Sequence, residues 1–259
     1  MTAPSSSPPA APTYAAAIYW DKRYEERCQN FDWFFTYGAL GKVISTFLGP
    51  YKSQPCLHVG CGNSTLQHGM AADGFDCVVN VDISSIVIEQ MALQDQHRLP
   101  QLRYEVADCR DMSNLPSASF GSILDKGTLD AVLCGQGGTA DTHMYLAEVD
   151  RLLVPGGTFL LVSLAGPSTR QHLLKGPPRA PWSCQVLLLP KPSMYLASEA
   201  SLTGRNISCS QAHSADSKDD PVEVDGPYTL QEVVQKVSDP AGTQGSVEGR
   251  DYFYCYVCK

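Results

Sequence analysis

The sequence predicts an α/β fold, an open and mostly parallel sheet with helices on both faces. Three observations carry this reading. From residue 55 onward, short apolar runs alternate with helical patterns, as βαβ units require. A glycine-rich turn, Gly60-Cys61-Gly62-Asn63-Ser64, directly follows the first of those runs. An aspartate, Asp82, closes the second run twenty residues beyond Gly62.

Residues 1–13 are rich in Ala, Pro and Ser and offer nothing to bury, so a disordered tail is expected there. Residues 14–259 are read as one domain. An amphipathic helix is expected over Ala15–Cys28, around Ile18, Tyr19 and Tyr24. A second follows Asp32 and carries Phe34, Tyr37, Leu40, Val43, Ile44 and Phe47 at helical spacing. The period then changes. Strands are predicted at Pro55–Val59, Asp76–Val81, Leu102–Val106, Phe120–Asp125 and Thr158–Ser163, with helices near 63–72, 84–97, 127–134 and 140–153 between them. Ser84 suits the N-cap of the second of these helices. Pro155-Gly156-Gly157 stops the last and turns the chain into its strand. Beyond residue 165, Trp182–Leu189 reads as a sixth strand and Tyr252–Cys258 as the final one. Tyr228–Val237 reads as a short helix, and 191–226, rich in Ser, Asp, Gly and Pro, as a flexible insertion.

Composition narrows the class. With 43% hydrophobic and 18% charged residues, 259 residues can bury a sizeable core. The net charge of −8 disfavours nucleic acid as a partner, because an acidic surface repels phosphates. No apolar run approaches the roughly 20 residues needed to span a bilayer. Residues 1–13 hold no Lys or Arg, unlike a signal or transit peptide, so a cytoplasmic enzyme is expected, acting as a monomer. The ten cysteines are scattered and are expected to be reduced thiols. Cys255 and Cys258 do not suggest a metal or redox pair, since positions three apart in a strand face opposite sides.

The glycine turn is the chemical centre. Glycines let the backbone leave a strand sharply and let a ligand come close. The helix that follows presents free N–H groups and the positive end of its dipole. Open α/β sheets bind nucleotides in such a crevice, at the carboxyl ends of the strands. Asp82 is placed to accept both ribose hydroxyls, although capping the next helix would also suit it. A nicotinamide dinucleotide shares that acidic residue. Against it, Thr65 stands where its third glycine would be, and no downstream acid–base pair suggests hydride transfer. Asp108, after the third strand, suits an adenine amino group.

These residues sit within longer runs that resemble one family. Tyr19-Trp20-Asp21-Lys22-Arg23-Tyr24, Phe31-Asp32-Trp33-Phe34, the glycine turn, Val81-Asp82-Ile83-Ser84-Ser85 and Leu124-Asp125-Lys126-Gly127-Thr128-Leu129-Asp130-Ala131 are similar to a subfamily of seven-β-strand methyltransferases. That subfamily includes the lysine methyltransferases of elongation factor 1-alpha and of citrate synthase. The resemblance covers about residues 18–165. It implies a Rossmann-like, seven-stranded, mostly parallel sheet whose last strand is antiparallel, and S-adenosylmethionine (SAM) as cofactor. It implies SAM contacts at Trp20, Tyr24, Trp33, Gly60, Gly62, Asp82, Ile83, Asp108, Cys109 and Lys126. Aromatic faces attract the sulfonium cation, and Ile83 can pack on adenine. The sequence departs from the family at His58, where many relatives place an acid, and in the roughly sixty residues inserted between the sixth and seventh strands.

SAM carries its own activated methyl group, so the protein mainly positions a nucleophile. The resemblance implies a protein lysine acceptor, with a translation elongation factor as the partner. Asp125 and Asp130, near the carboxyl end of the fourth strand, are candidate guides for the cationic side chain. No Asn/Asp-Pro-Pro-Tyr/Phe segment follows that strand, which disfavours methylation of a nucleobase. A small-molecule acceptor stays open, because one core serves many chemistries. So does a catalytically inactive relative that binds SAM or a protein partner. No metal is expected.

Overall fold

The computed structural model describes residues 14–176, 181–193, 195, 217–233 and 252–259. The expected tail, most of the expected insertion and the end of the helix expected over Tyr228–Val237 lie outside them. Among the described residues the chain forms one eight-stranded sheet: β1 (Cys56–Val59), β2 (Val78–Asp82), β3 (Leu102–Val106), β4 (Phe120–Lys126), β5 (Leu153–Ser163), β6 (Cys184–Pro190), β7 (Asp225–Thr229) and β8 (Tyr252–Cys258). Their order is β3-β2-β1-β4-β5-β8-β6-β7. The first five pair in parallel, and β8 inserts antiparallel between β5 and β6.

Seven helices lie wholly within the described residues: α1 (Ala17–Glu26), α2 (Tyr37–Phe47), α3 (Leu66–Ala72), α4 (Ser85–Asp95), α5 (Thr128–Leu133), α6 (Gly138–Leu152) and α7 (Pro167–Arg170). The sheet's alternation sorts its side chains between two cores. Leu57, Ile123, Phe159 and Leu161 meet Leu129, Tyr145 and Val149 of α5 and α6. Cys56, Leu124, Leu160 and Val162 meet Leu40, Ile44, Leu66 and Met70 of α2 and α3. Both faces are covered, which is why β1, β2 and β4 are buried at every position. A smaller cluster joins Tyr24 and Cys61 to Val87, Ile88 and Met91, fastening α1 to α4.

The structure corrects several expectations. The sheet has eight strands, not seven: Asp225–Thr229 is a strand pairing with β6, and the described part of the helix expected over Tyr228–Val237 begins at residue 230. Helix α2 starts at Tyr37, because Phe34 takes a left-handed backbone (φ 62) and residues 33–36 form a turn instead. Strand β5 begins at Leu153, so the Pro-Gly-Gly segment lies inside it, beside a bulge opposite Phe120 and Ser122. Ser84 does cap α4, its hydroxyl accepting from the Val87 N–H. Cys255 and Cys258 do face opposite cores. Cys258, however, is paired as a disulfide with Cys184, its directly opposite neighbour on β6, where reduced thiols were expected.

Candidate functional site

A cavity of about 300 Å³ opens at the carboxyl ends of β1, β2 and β4, closed over by α1 and the loop that follows it. Its floor is the glycine turn. Gly60 leaves β1 with φ +62, and a Cβ there would fall 1.9 Å from Thr128 Oγ1. A Cβ on Gly62 (φ +51) would come within 2.6 Å of the Tyr24 hydroxyl. Backbone strain and close approach both demand glycine at these positions. Thr128 Oγ1 donates to the Val59 carbonyl, tying the end of β1 to the start of α5.

Asp82, the last residue of β2, faces this floor. One carboxylate oxygen accepts the Gly62 N–H and the other the Ser84 N–H, both at 2.9 Å. Burial raises its pKa to about 6, against the lowering effect of those backbone donors. Each oxygen keeps a further lone pair for a ligand. Ile83, Ala107, Asp108 and Cys109 continue the wall on this side.

On the opposite side Trp20 stacks on Tyr24 (centroids 5.9 Å apart, 23° between planes), and its indole N–H donates to the Tyr14 carbonyl. Phe31 and Trp33, in edge-to-face contact, form an aromatic rim that stays 40% and 39% exposed. Their loop is pinned from below. Asp32 is buried and pairs with Lys126 Nζ at 3.2 Å, while accepting a short hydrogen bond from Ser64 Oγ. Lys126, at the end of β4, also donates to the Trp33 carbonyl at 3.0 Å. Burial pushes the Lys126 pKa down, against the pull of Asp32.

All ten expected cofactor contacts, Trp20, Tyr24, Trp33, Gly60, Gly62, Asp82, Ile83, Asp108, Cys109 and Lys126, line this one cavity. Two are engaged differently from expectation. The Asp108 carboxylate is chelated by Arg110, which reaches both oxygens through Nε and Nη2 and also pairs with Asp141. Lys126 lines the cavity but is also a buried anchor, held by Asp32 and the Trp33 carbonyl. The two expected substrate guides need correction. Asp125 is fully buried outside the cavity wall and accepts from the Thr128 and Leu129 N–H groups and the Tyr145 hydroxyl. Burial raises its pKa to about 7, so it is a buried helix cap for α5. Asp130 reaches the wall but is held by Arg170, Ser163 Oγ and the Leu164 N–H, fastening α5 to the end of β5. His58 does not touch the cavity. It is buried against Asn80 Oδ1 at 3.2 Å, and burial lowers its pKa to about 4, so it is neutral near pH 7.

Sequence reasoning overlooked Asp32, Arg23 and Arg110. Asp32 pairs with Lys126 of a distant segment, whereas Arg110 folds back on its near neighbour Asp108 and Arg23 lies over Phe31 and Trp33, contacts that no spacing rule announces. Leu164, half exposed on the wall, could not be placed without knowing where β5 ends.

The donor set suits SAM: a strand-end carboxylate with spare lone pairs, aromatic faces for a cation, and apolar walls around a crevice of ligand size. Fold and site define a SAM-dependent methyltransferase. The methyltransferase domain family matches residues 57–161. EEF1A lysine methyltransferase 4 of Mus musculus is 36% identical over 178 residues, covering 63% of this chain and 68% of that protein. The eEF1A lysine and N-terminal methyltransferase of Mus musculus is 36% identical over 171 residues, 65% of this chain but 24% of that protein, so the chain spans about a quarter of that relative. Among solved structures, the (4+2)-cyclase SpnF shares the fold, with a TM-score of 0.50 at 13% identity over 85% of this chain and 79% of that one. The chain belongs to the methyltransferase family that includes EEF1A lysine methyltransferase 4. No helix among the described residues is long and apolar enough to cross a membrane.

Proposed function

We propose that this methyltransferase transfers its methyl group to a lysine ε-amine of a protein, with elongation factor eEF1A as the acceptor. The observation that carries this reading is the match to EEF1A lysine methyltransferase 4 across two thirds of that protein. The shape of the site supports it.

When bound, SAM supplies a methyl group already activated on its sulfonium centre. The residues of the chain bind and orient. Asp82 holds the ribose hydroxyls with the lone pairs that Gly62 and Ser84 leave free. Ile83 packs against adenine, and the Asp108–Cys109 segment supplies the polar edge beside it. Trp20 and Tyr24 cover the cofactor and keep water from it. Lys126 and Asp32 hold Trp33 in place over the site.

A lysine attacks only as the neutral amine. Trp33 and Leu164 line the cavity and stay part exposed, and their apolar surfaces would desolvate an entering side chain, favouring loss of its proton. Catalysis then rests on proximity and alignment rather than on a general base. Neither Asp125 nor Asp130 offers the amine a free carboxylate, since both are committed to internal partners.

The test is methylation of purified eEF1A with radiolabelled SAM, followed by peptide mapping of the product. Methyl-lysine on eEF1A with the wild type, lost in Asp82→Ala, is expected. Label found only in small molecules when a whole lysate is supplied refutes a protein acceptor. Label on another protein refutes eEF1A alone.

A further inference from the structure

Three cations line the cavity, and their partners distinguish them. Arg110 is neutralised by Asp108 and Asp141, and Lys126 by Asp32. Arg23, in the last turn of α1, has no carboxylate within ion-pair distance among the described residues. Aromatic faces hold it instead, with its guanidinium 5.6 Å above the Phe31 ring and 5.3 Å above the Trp33 ring. Stacking uses the flat faces of a guanidinium and leaves its N–H edge free to bind an anion in bidentate fashion. In a chain of net charge −8, this is a half-buried positive charge without a counter-ion, set in the wall of the cofactor cavity.

What anion it takes follows from the rest of the wall. Asp82 fixes the ribose position, and Ile83, Asp108 and Cys109 lie on the adenine side. The methionine part of SAM is left for the Gly60, Trp33 and Arg23 end. That part is a zwitterion with one carboxylate, and the other cation at this end, Lys126, already has its acid. We propose that Arg23 binds the methionine α-carboxylate and is the residue by which the site tells SAM from nucleosides lacking that group. The proposal rests on SAM being the ligand of this cavity. Phe31 and Trp33 then act as a platform that sets the angle of the guanidinium.

The test is calorimetric binding to wild type, Arg23→Lys and Arg23→Gln. The ligands are SAM, S-adenosylhomocysteine, decarboxylated SAM and 5′-methylthioadenosine. Removing a charge-assisted bidentate contact is expected to weaken SAM and S-adenosylhomocysteine roughly 10- to 100-fold in Arg23→Gln. Decarboxylated SAM and methylthioadenosine should change by less than about twofold, the spread of neutral surface changes. Arg23→Lys should lie between, keeping the charge without the fork. Unchanged methylthioadenosine affinity also shows that the variants are folded. Equal weakening of all four ligands would overturn the proposal, because Arg23 would then only shape the wall or stabilise the end of α1. Unchanged SAM affinity would overturn it as well. If the wild type bound none of the four, the cofactor reading itself would fall. A wild type that binds SAM alongside an indifferent Arg23→Gln variant overturns only this inference.

Discussion

The buried pair between Asp32 and Lys126 gives the sharpest quantitative expectation. Asp32→Asn keeps shape and volume but leaves the Lys126 ammonium buried without its ion-pair partner, held by the Trp33 carbonyl and a neutral amide. Both side chains are 4% exposed, so water cannot take over. Removing one member of such a pair costs about 3–5 kcal/mol, because the remaining charge stays desolvated. The surviving hydrogen bond to Trp33 places the expectation near the lower end, about 3 kcal/mol, against a total stability of about 5–15 kcal/mol. Urea unfolding reads the change, and Lys126→Met with the double variant completes the cycle. The double variant should recover about 1–3 kcal/mol relative to the sum of the singles. Burial holds the Lys126 pKa below its unfolded value, so the unfolded chain binds more protons. Loss of Asp32 deepens that depression. The deficit of Asp32→Asn should therefore shrink as pH rises from 7 towards about 10, where the unfolded lysine also loses its charge. A cost below about 1 kcal/mol, or strictly additive singles, would refute the view that this pair anchors the loop.

Three further outcomes follow from the same geometry. The Asp82 pKa of about 6 in the free protein predicts that SAM affinity rises as pH increases through 6, since the ribose hydroxyls need the ionised carboxylate; titration calorimetry from pH 5 to 8 reads it, and a flat profile excludes Asp82 as the acceptor. For stability the sign is opposite. A carboxyl whose folded pKa is raised contributes fully below about pH 4 and loses that contribution as pH passes 6 for Asp82 and 7 for Asp125, so the ligand-free protein should become less stable over that range in thermal melts. Gly60→Ala combines a positive φ with a collision on Thr128 and should cost at least about 1–2 kcal/mol, whereas Gly74→Ala, with open space around the Cβ position, should pay only the backbone term. Equal melting temperatures for the two would show that the glycine turn yields.

Much of this fold was legible because its determinants are local. The runs at Cys56–Val59 and Phe120–Lys126 carry apolar residues on both faces, since parallel strands are covered on both, and Ser84 signals its helix through a contact three residues away. Residue types in the site could be placed for the same reason: Gly60 and Asp82 end neighbouring strands, and β-pairing brings strand ends together. Side-chain commitments were not legible. Asp125 and Asp130 sit beside the cavity in sequence terms, yet α5 turns the first inwards and Arg170, forty residues on, claims the second. Asp108 suits an adenine amino group until Arg110 is seen folded back on it. Strand β7 escaped because Asp-Gly-Pro-Tyr-Thr has neither alternation nor a core face: it is an edge strand, covered on one side only.

Described parts of the stretch expected to be a flexible insertion touch the loop that carries the aromatic rim. Thr36 donates its N–H to the Lys218 carbonyl at 3.1 Å and its hydroxyl to Asp219 at 2.7 Å. Lys218 reaches over the Phe31 ring at 4.9 Å, and the Tyr195 hydroxyl accepts the Phe34 N–H at 3.1 Å. These contacts surround the Trp33–Phe34 turn, where the left-handed backbone of Phe34 costs on the order of 1–3 kcal/mol. Such a turn persists only where neighbours over-determine it, and here the neighbours come from both the glycine turn and the late segment. The aromatic rim is thus held from below by Lys126 and from outside by Lys218 and Tyr195. Lys218→Ala would test this coupling at a described residue that does not line the cavity. A weaker SAM affinity with unchanged sheet stability is the expected result, because the Phe31 ring would lose the ammonium that covers it. Unchanged affinity would mean that Asp32 and Lys126 alone hold the rim.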